Sequence, residues 1–196
     1  LALSGPGNPP TPFEGKPPAI YLPPQTSFTV EGEGLEMVIS RAAAQSGGET
    51  RVIKPGDTKS MSVGKDNWNR SVTMIAPPDF QSQMLIVGET FNPSGNWSGV
   101  PAHKHDQIGS TVESNHEEIY YFRFGRESDW GCLRVYEADG TDDLVLLKDR
   151  LVTVIPRGYH TVAVAPGSSL LYTFHLAGSP KKLMVSEDPN QAWIKQ

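Results

Sequence analysis

The sequence has a single cysteine, Cys132, so no disulfide can form within the chain and the fold needs no oxidising compartment. Its longest apolar stretches fall well short of the ~18 residues that a membrane-spanning helix requires. Basic side chains are fewer than acidic ones, 17 against 22, and the formal net charge is −5. This balance argues against a nucleic-acid-binding surface. We therefore expect a cytoplasmic protein without a nucleic-acid or membrane partner.

Glycine and proline, in contrast, are abundant, with 19 and 17 residues out of 196. Eight of the prolines lie in the first 24 residues, which predicts an irregular arm. The sequence also begins without a methionine or a cleavable signal pattern. We interpret this as a processed or truncated chain.

Short runs of β-branched, aromatic and aliphatic residues recur after the arm, separated by Gly, Pro, Asn and Asp, and helical periodicity is weak. We predict strands near 19–22, 27–30, 35–40, 71–76, 83–91, 118–124, 133–137, 144–147, 151–155, 160–165 and 170–176, with a helical turn only at 41–45. Many short strands at close spacing predict an all-β fold, a jelly-roll β-barrel or sandwich.

Histidines supply the most informative pattern. His103 and His105 are two positions apart, so in an extended chain both side chains lie on one face. Glu118 begins a later strand on its more apolar face, where a carboxylate is costly without a compensating cation. His160 begins another strand, on the face that carries Val162. Three imidazoles and one carboxylate directed into one barrel predict a site for one divalent transition metal ion, and Zn, Mn or Fe would each suit it.

Each of these residues also has a simpler interpretation. A His-x-His pair is more often two exposed loop residues. Glu118 could pair with Arg134, and His160 could be a core residue with its hydrogen bonds satisfied. The combination of the elements, in this order and on consecutive strands, favours the metal interpretation over the separate ones.

Twelve residues separate His105 from Glu118, and their composition predicts a loop inserted at the barrel mouth. This loop contains His116, which we expect to be mobile and functionally unimportant. It also contains Glu113 and Glu117, either of which would replace Glu118 as a ligand if the loop folded inward. Strand alternation, however, places Glu117 on the outer face.

The order His-x-His, Glu, Pro-x-Gly-x-His resembles the two cupin motifs. Glu118 is followed after six residues by Gly125, and Pro156 and Gly158 lead to His160. More closely, the sequence resembles the 5-deoxy-glucuronate isomerases of myo-inositol catabolism. The segments that carry this resemblance are 87–98, 101–106, 117–124, 133–136, 156–160, 165–167 and 177–178, with weaker support from 14–24 and 69–72.

That resemblance implies a bicupin, related to the 4-deoxy-uronate ketol isomerases of pectin breakdown. Residues 1–76 would form the proline-rich arm and a partial N-terminal cupin, and residues 77–196 a C-terminal metal-binding cupin. The implied activity is a metal-dependent aldose–ketose isomerisation between 5-deoxy-glucuronate and 5-dehydro-2-deoxy-gluconate, so the implied partner is a small sugar acid. A ferrous cupin dioxygenase and a non-catalytic sugar- or metal-binding cupin are the alternatives, and a homo-oligomer remains open.

The family's ligand positions carry over to His103, His105, Glu118 and His160. The sequence departs from the family pattern at Thr161, Ser168 and His175. These departures bear more on the rim of the substrate pocket than on the metal site. We expect the catalytic groups to be among Glu118, Tyr120 and Tyr172, and the substrate-binding groups among Arg134, Arg157 and Trp97. A tyrosine inside a barrel is more often packing, and each arginine could serve equally as a structural ion-pair partner.

Overall fold

The computed structural model describes residues 11–196, so the first ten residues of the predicted arm lie outside the described part. The strands are β1 (Ala19–Tyr21), β2 (Arg51–Ile53), β3 (Lys59–Val63), β4 (Arg70–Ala76), β5 (Leu85–Asn92), β6 (Trp97–Lys104), β7 (Asn115–Phe124), β8 (Gly131–Tyr136), β9 (Asp142–Leu147), β10 (Val152–Ile155), β11 (Tyr159–Val164), β12 (Leu170–Ser179) and β13 (Ser186–Glu187). Short 3-10 helices span Pro55–Asp57, Asp66–Trp68 and Pro189–Lys195.

Two antiparallel sheets dominate the structure. One has the strand order β10-β7-β12-β5-β4-β3 and the other β13-β6-β11-β8-β9, while β1 and β2 form a separate two-stranded sheet. From β5 to β12 each consecutive strand changes sheet except β9, which pairs with β8, and this arrangement is that of a jelly roll. The all-β fold class predicted from the sequence is confirmed.

Alternation along the strands determines which side chains face inward. In β7 every second residue from His116 to Phe124 is buried, and most residues between them are exposed or half-buried. The core contains Ile86, Tyr120, Phe122, Phe124, Leu133, Leu147, Ile155, Val162, Val164, Leu170, Tyr172, Phe174 and Leu176. Within residues 11–196, no helix is long and apolar enough to cross a membrane.

The segment that precedes β3 crosses the outer face of the six-stranded sheet. Phe13 packs edge-on against Phe91 of β5, with ring centroids 6.3 Å apart. Farther along, Glu36 accepts a hydrogen bond of 2.9 Å from the hydroxyl of Tyr121 on β7. The predictions of strands at 27–30 and 35–40 and of a helical turn at 41–45 are wrong. This segment is held by side-chain contacts of this kind, with no strand assigned in 27–45.

Four strands that the sequence analysis did not predict are β2, β3, β6 and β13. Strand β6 was obscured because Gly99 and Pro101 interrupt its pattern. Gly99 has a positive φ of 64° and the Val100–Pro101 peptide is cis. The pairing of β6 with β11 shifts register in this region, from His103 opposite His160 to Ser98 opposite Val162.

Strands β3 and β4 join the same sheet as β5, with β4 paired to β5 from Ser71 opposite Phe91. The hydrogen-bonded sheet is therefore continuous across residues 76 and 77, where the sequence suggested a division of the chain. That division stays a prediction.

Candidate metal centre

Strands β6 and β11 place the predicted histidines side by side. His103 lies directly opposite His160 in the pairing of the two strands. The ligand atoms of His103, His105 and His160 all lie within 4.8 Å of one another. Gly99 makes this approach feasible, because a Cβ there would stand 3.1 Å from the His160 carbonyl oxygen and 3.4 Å from Cε1 of His103.

Glu118 joins the cluster from β7 in the other sheet. Its side chain is buried, and Oε2 lies 3.2 Å from Nε2 of His105 and 3.2 Å from Nε2 of His160. The structure thus brings together all four residues that the sequence suggested as metal ligands. Glu117, weighed as a substitute for Glu118, is exposed.

Hydrogen bonds to the other ring nitrogens orient two of the imidazoles. Nδ1 of His105 donates to the carbonyl of His116, and Nδ1 of His160 donates to the carbonyl of Gly158, both at 3.1 Å. Because a neutral imidazole carries one N–H, these bonds leave an electron pair on each Nε2. Both electron pairs are directed toward the same carboxylate oxygen.

This arrangement fits a metal ion. Nε2 of His160 is buried and has no hydrogen-bond partner among the described residues, despite its 3.2 Å approach to Glu118. Two imidazole electron pairs and an anionic oxygen at such short range repel one another unless a cation lies between them. Imidazole nitrogens with one carboxylate form a ligand set that divalent transition metals prefer, so the cluster could hold such an ion.

Electrostatics favour the metal-binding protonation states of Glu118 and His103, whereas at His105 burial lowers the pKa but the neighbouring Glu118 outweighs it and raises the pKa. Burial opposes ionisation of Glu118, but the adjacent imidazoles of His105 and His160 outweigh it and hold the pKa of Glu118 well below its usual range. Burial, reinforced by the neighbouring His160, lowers the pKa of His103 to about 3. A carboxylate and a neutral imidazole at neutral pH are the forms that coordinate a metal.

Tyr120 and Tyr172 line the interior beside the cluster. The ring of Tyr120 lies 6.2 Å from that of His160 and 4.8 Å from that of Tyr172. The hydroxyl of Tyr172 donates to Oγ of Ser98 at 2.9 Å. Burial raises the pKa of both phenols, and the nearby Glu118 charge adds to the effect at Tyr120. Both hydroxyls are therefore protonated at neutral pH and suited to donate hydrogen bonds.

The structure does not bring the suggested substrate-binding residues to this cluster. Arg134 lies opposite Thr161 on the outer face of the sheet and makes a two-pronged ion pair with Asp142, with bonds of 2.8 and 2.7 Å. Arg157 is exposed and paired with Glu137 at 2.9 Å. Trp97 is 41 % exposed on strand β6.

The inserted loop is anchored to the site. Asp106 accepts from the backbone N–H of Gly158 at 2.9 Å and from Lys104, and Glu113 is buried and also accepts from Lys104. The expectation that His116 lies on a mobile loop is wrong. His116 is 2 % exposed in β7, and its Nε2 lies 2.9 Å from the carbonyl oxygen of Pro180.

The sequence analysis missed one charged residue on the interior side, Arg70. It begins β4 and lies on the same face as Val72 and Met74, which pack against the core. The alternation Arg-x-Val-x-Met was a usable signal, because it places a guanidinium on an otherwise apolar strand face.

Two facing sheets of jelly-roll topology, with three imidazoles and one carboxylate converging between them, define the class of this protein: it is a cupin whose interior presents a ligand set for a metal ion. The KduI/IolB family profile matches residues 7–194. The chain belongs to the KduI/IolB family.

Relatives support this assignment over most of the sequence. A 5-deoxy-glucuronate isomerase of Geobacillus thermodenitrificans is 32 % identical over 187 residues, which cover 94 % of this chain and 68 % of the relative. The 5-deoxy-glucuronate isomerase of Shouchella clausii is 34 % identical, covering 93 % and 69 %. This chain thus spans about two thirds of the length of these relatives.

A solved structure shows the same fold. An IolB-like protein from Salmonella typhimurium LT2 superposes with a TM-score of 0.73 at 33 % identity. The superposition covers 76 % of this chain and 57 % of the other.

Proposed function

We propose that this protein is a metal-dependent aldose–ketose isomerase that interconverts 5-deoxy-glucuronate and 5-dehydro-2-deoxy-gluconate in myo-inositol catabolism. The observation that carries the proposal is the convergence of His105, His160 and Glu118 through two 3.2 Å approaches inside a cupin of the KduI/IolB family. Relatives that bear the isomerase name align with more than nine tenths of the chain. We place the reaction in the cytoplasm, since a chain with one cysteine gains nothing from an oxidising compartment.

The reaction moves a hydrogen between neighbouring carbons without any external oxidant or reductant. A proton leaves C2 of the aldose and a proton is added at C1, while the hydroxyl proton moves from O2 to O1. Negative charge develops on the two oxygens as the carbonyl migrates. A divalent ion held by His103, His105, Glu118 and His160 would supply Lewis acidity toward that charge, and Zn, Mn or Fe each has this property.

The protonation states of Glu118, Tyr120 and Tyr172 determine which of these side chains can accept a proton and which can donate one. Glu118 is ionised and is the candidate proton acceptor, in addition to its place in the ligand set. Tyr120 and Tyr172 keep their protons, so we propose that they donate hydrogen bonds to substrate oxygens or return a proton. Walls of buried aromatic side chains keep water from the reacting carbons.

Residues 77–196 would carry this site as a C-terminal cupin, with residues 1–76 supplying the arm and part of an N-terminal cupin. The pairing of β4 with β5 gives the first part a direct contribution to the second part's sheet.

The experiment is turnover of 5-deoxy-glucuronate, followed by NMR, with protein loaded with Zn²⁺, Mn²⁺ or Fe²⁺ and with chelator-treated protein. We expect the ketose to accumulate only with metal, and in D₂O to carry solvent deuterium at C1 if the proton exchanges during transfer. A folded, metal-loaded protein that leaves the sugar unchanged would contradict the proposal. Oxygen consumption during turnover would instead point to a dioxygenase, and sugar binding without turnover to a non-catalytic cupin.

A further inference from the structure

Arg70 is a positively charged side chain on the interior face of the fold. The strand β4 that it begins places it in line with Val72 and Met74, both packed on the core. Burial lowers the pKa of Arg70, and the nearby hydroxyls of Tyr172 and Tyr120 act in the opposite direction. Its charge also acts on His103. Val72 lies opposite Thr90 of β5, and Thr90 lies opposite Tyr172 of β12, so the strand face that carries Arg70 is continuous with the interior face that carries Tyr172.

The turn between β3 and β4 is shaped around this guanidinium. Nη1 of Arg70 donates to the carbonyl of Trp68 at 3.3 Å. Gly64, with a positive φ of 88°, leaves the space open, because a Cβ there would stand 2.3 Å from that carbonyl oxygen and 3.0 Å from Nη1. The turn is tied to the start of β6, since the side-chain amide of Asn96 donates to the carbonyl of Asn69 at 2.7 Å.

Arg70 differs from the other arginines in combining partial burial with the lack of any carboxylate within 4.0 Å in residues 11–196. Five others form ion pairs with carboxylates: Arg123, Arg126, Arg134, Arg150 and Arg157. The remaining two, Arg41 and Arg51, are exposed. A half-buried guanidinium with one weak backbone contact retains most of its donors for a ligand.

The geometry points to Arg70 as the residue that binds the carboxylate of the sugar acid, while the aldehyde end of the same molecule lies at the histidine cluster. This inference rests on the proposed function. It identifies Arg70 as the residue through which the protein binds a sugar acid in preference to a neutral sugar. A planar guanidinium matches a carboxylate with two parallel hydrogen bonds, and partial burial strengthens both. Among residues 11–196 no carboxylate within 4.0 Å competes for it, and Glu118 is engaged with His105 and His160.

The test compares Arg70→Met and Arg70→Lys with the unchanged protein on two sugars, 5-deoxy-glucuronate and its uncharged analogue 5-deoxy-glucose. We expect Arg70→Met to raise KM for the acid by about 10- to 100-fold, the range for loss of a charge-assisted hydrogen bond. Because the carboxylate is held equally before and during proton transfer, kcat changes much less. KM for the neutral sugar stays within about threefold, and Arg70→Lys recovers part of the affinity for the acid.

Arg134→Met is the matched control, because it removes an arginine from the outer face, and its kinetics should equal those of the unchanged protein. Metal content, measured by elemental analysis, should be the same in every variant and reports an intact cluster. Equal losses on both sugars, or an unchanged KM for the acid in Arg70→Met, would overturn the inference about Arg70. If the unchanged protein does not convert 5-deoxy-glucuronate at all, it is the proposed function that fails.

Discussion

Glu118 is the residue on which the most interactions of the site converge. It is buried between two sheets, and two imidazoles, that of His105 directly after β6 and that of His160 on β11, approach the same oxygen atom. Each of those imidazoles has its other nitrogen bound to a backbone carbonyl, so neither can rotate away without losing a hydrogen bond. The direction of the electron pair on Nε2 of both imidazoles is thus determined by the backbone.

Replacing His160 with alanine should abolish most metal binding. The change removes one of four ligands, and we expect affinity to fall by more than the 10- to 100-fold typical of losing an outer-shell partner. Equilibrium dialysis against Zn²⁺ with elemental analysis measures this, and circular dichroism should show an unchanged β-sheet spectrum. His103→Ala should behave alike, whereas Arg157→Met, an exposed change, should retain the metal. Full occupancy in His160→Ala would show that the ligand set is wrong.

Glu89 gives a prediction of pH dependence away from the site. It is 6 % exposed on β5, and burial raises its pKa to about 7, although Lys16 acts in the opposite direction. An unfolded Glu titrates near 4.5, so between pH 4.5 and 7 the folded state binds more protons than the unfolded state. Ionisation of Glu89 therefore lowers the free energy of unfolding as pH rises through that window, and this decrease is complete above pH 7.

Glu89→Gln should remove that decrease. Relative to the unchanged protein, the variant should be more stable at pH 8 by about 1–3 kcal/mol, and nearly equal to it at pH 4.5. Thermal unfolding at a series of pH values measures the difference, with exposed Glu117→Gln as the control. A difference independent of pH would contradict the assignment of the shift to Glu89.

At the scale of elements, the loop between β6 and β7 and the turn between β10 and β11 form one unit. Asp106 accepts from the N–H of Gly158, and the carbonyl of the same Gly158 orients His160. One carboxylate therefore joins the loop after the His-x-His pair to the turn that precedes the third histidine.

Asp106→Ala should loosen this connection without removing a ligand. We expect metal affinity to fall by about 10-fold, the lower part of the range for outer-shell partners, and dissociation into excess chelator to accelerate. Stopped-flow chelation with a chromophoric chelator gives the rate. Asp142→Ala, which breaks an exposed ion pair on β9, is the control and should release metal at the unchanged rate. Equal rates in the two variants would mean that Asp106 does not orient the site.

How far the sequence predicts the structure differs from element to element. Strand alternation and the spacing of the histidines were enough to identify the four residues of the cluster, because i and i+2 share a face in any extended chain. Arg70 was missed although the alternation Arg-x-Val-x-Met places it on an apolar strand face, because the contact of the β3–β4 turn with the start of β6 is long-range and has no local signal. Arg134 was expected near the substrate, although it faces the outside and pairs with Asp142.

Local apolar composition misled the prediction in the segment before β3. Residues 27–30 and 35–40 have the residue types of strands, yet they cross a sheet whose strands already pair with one another. The residue composition of a segment indicates how strongly its side chains tend to be buried. To form a strand, the segment must also find a sheet edge whose backbone hydrogen-bonding groups are free. Strand β6 shows the reverse case, since Gly99 and Pro101 concealed a real strand.

At the scale of the whole molecule, metal binding should contribute to stability because the ligands come from both sheets. An ion that binds only the folded state adds about 4 kcal/mol at a free concentration 1,000 times its Kd. For a chain of this size we expect a rise in Tm of roughly 8–16 °C. Calorimetry with Zn²⁺ and with chelator measures it, and His103→Ala should show no rise. A Tm unaffected by metal in the unchanged protein would argue against an ion that joins the sheets.

The hairpin of β3 and β4 lies at the end of the six-stranded sheet and carries Arg70 on the interior face, while β6, β7 and β11 deliver the histidines and the glutamate. In our proposal, recognition of the acid group and coordination of the ion are thus encoded in separate stretches of the gene. Exchange of residues 59–76 by recombination would alter which sugars are accepted and spare the reaction chemistry, a simple route by which one scaffold could diversify.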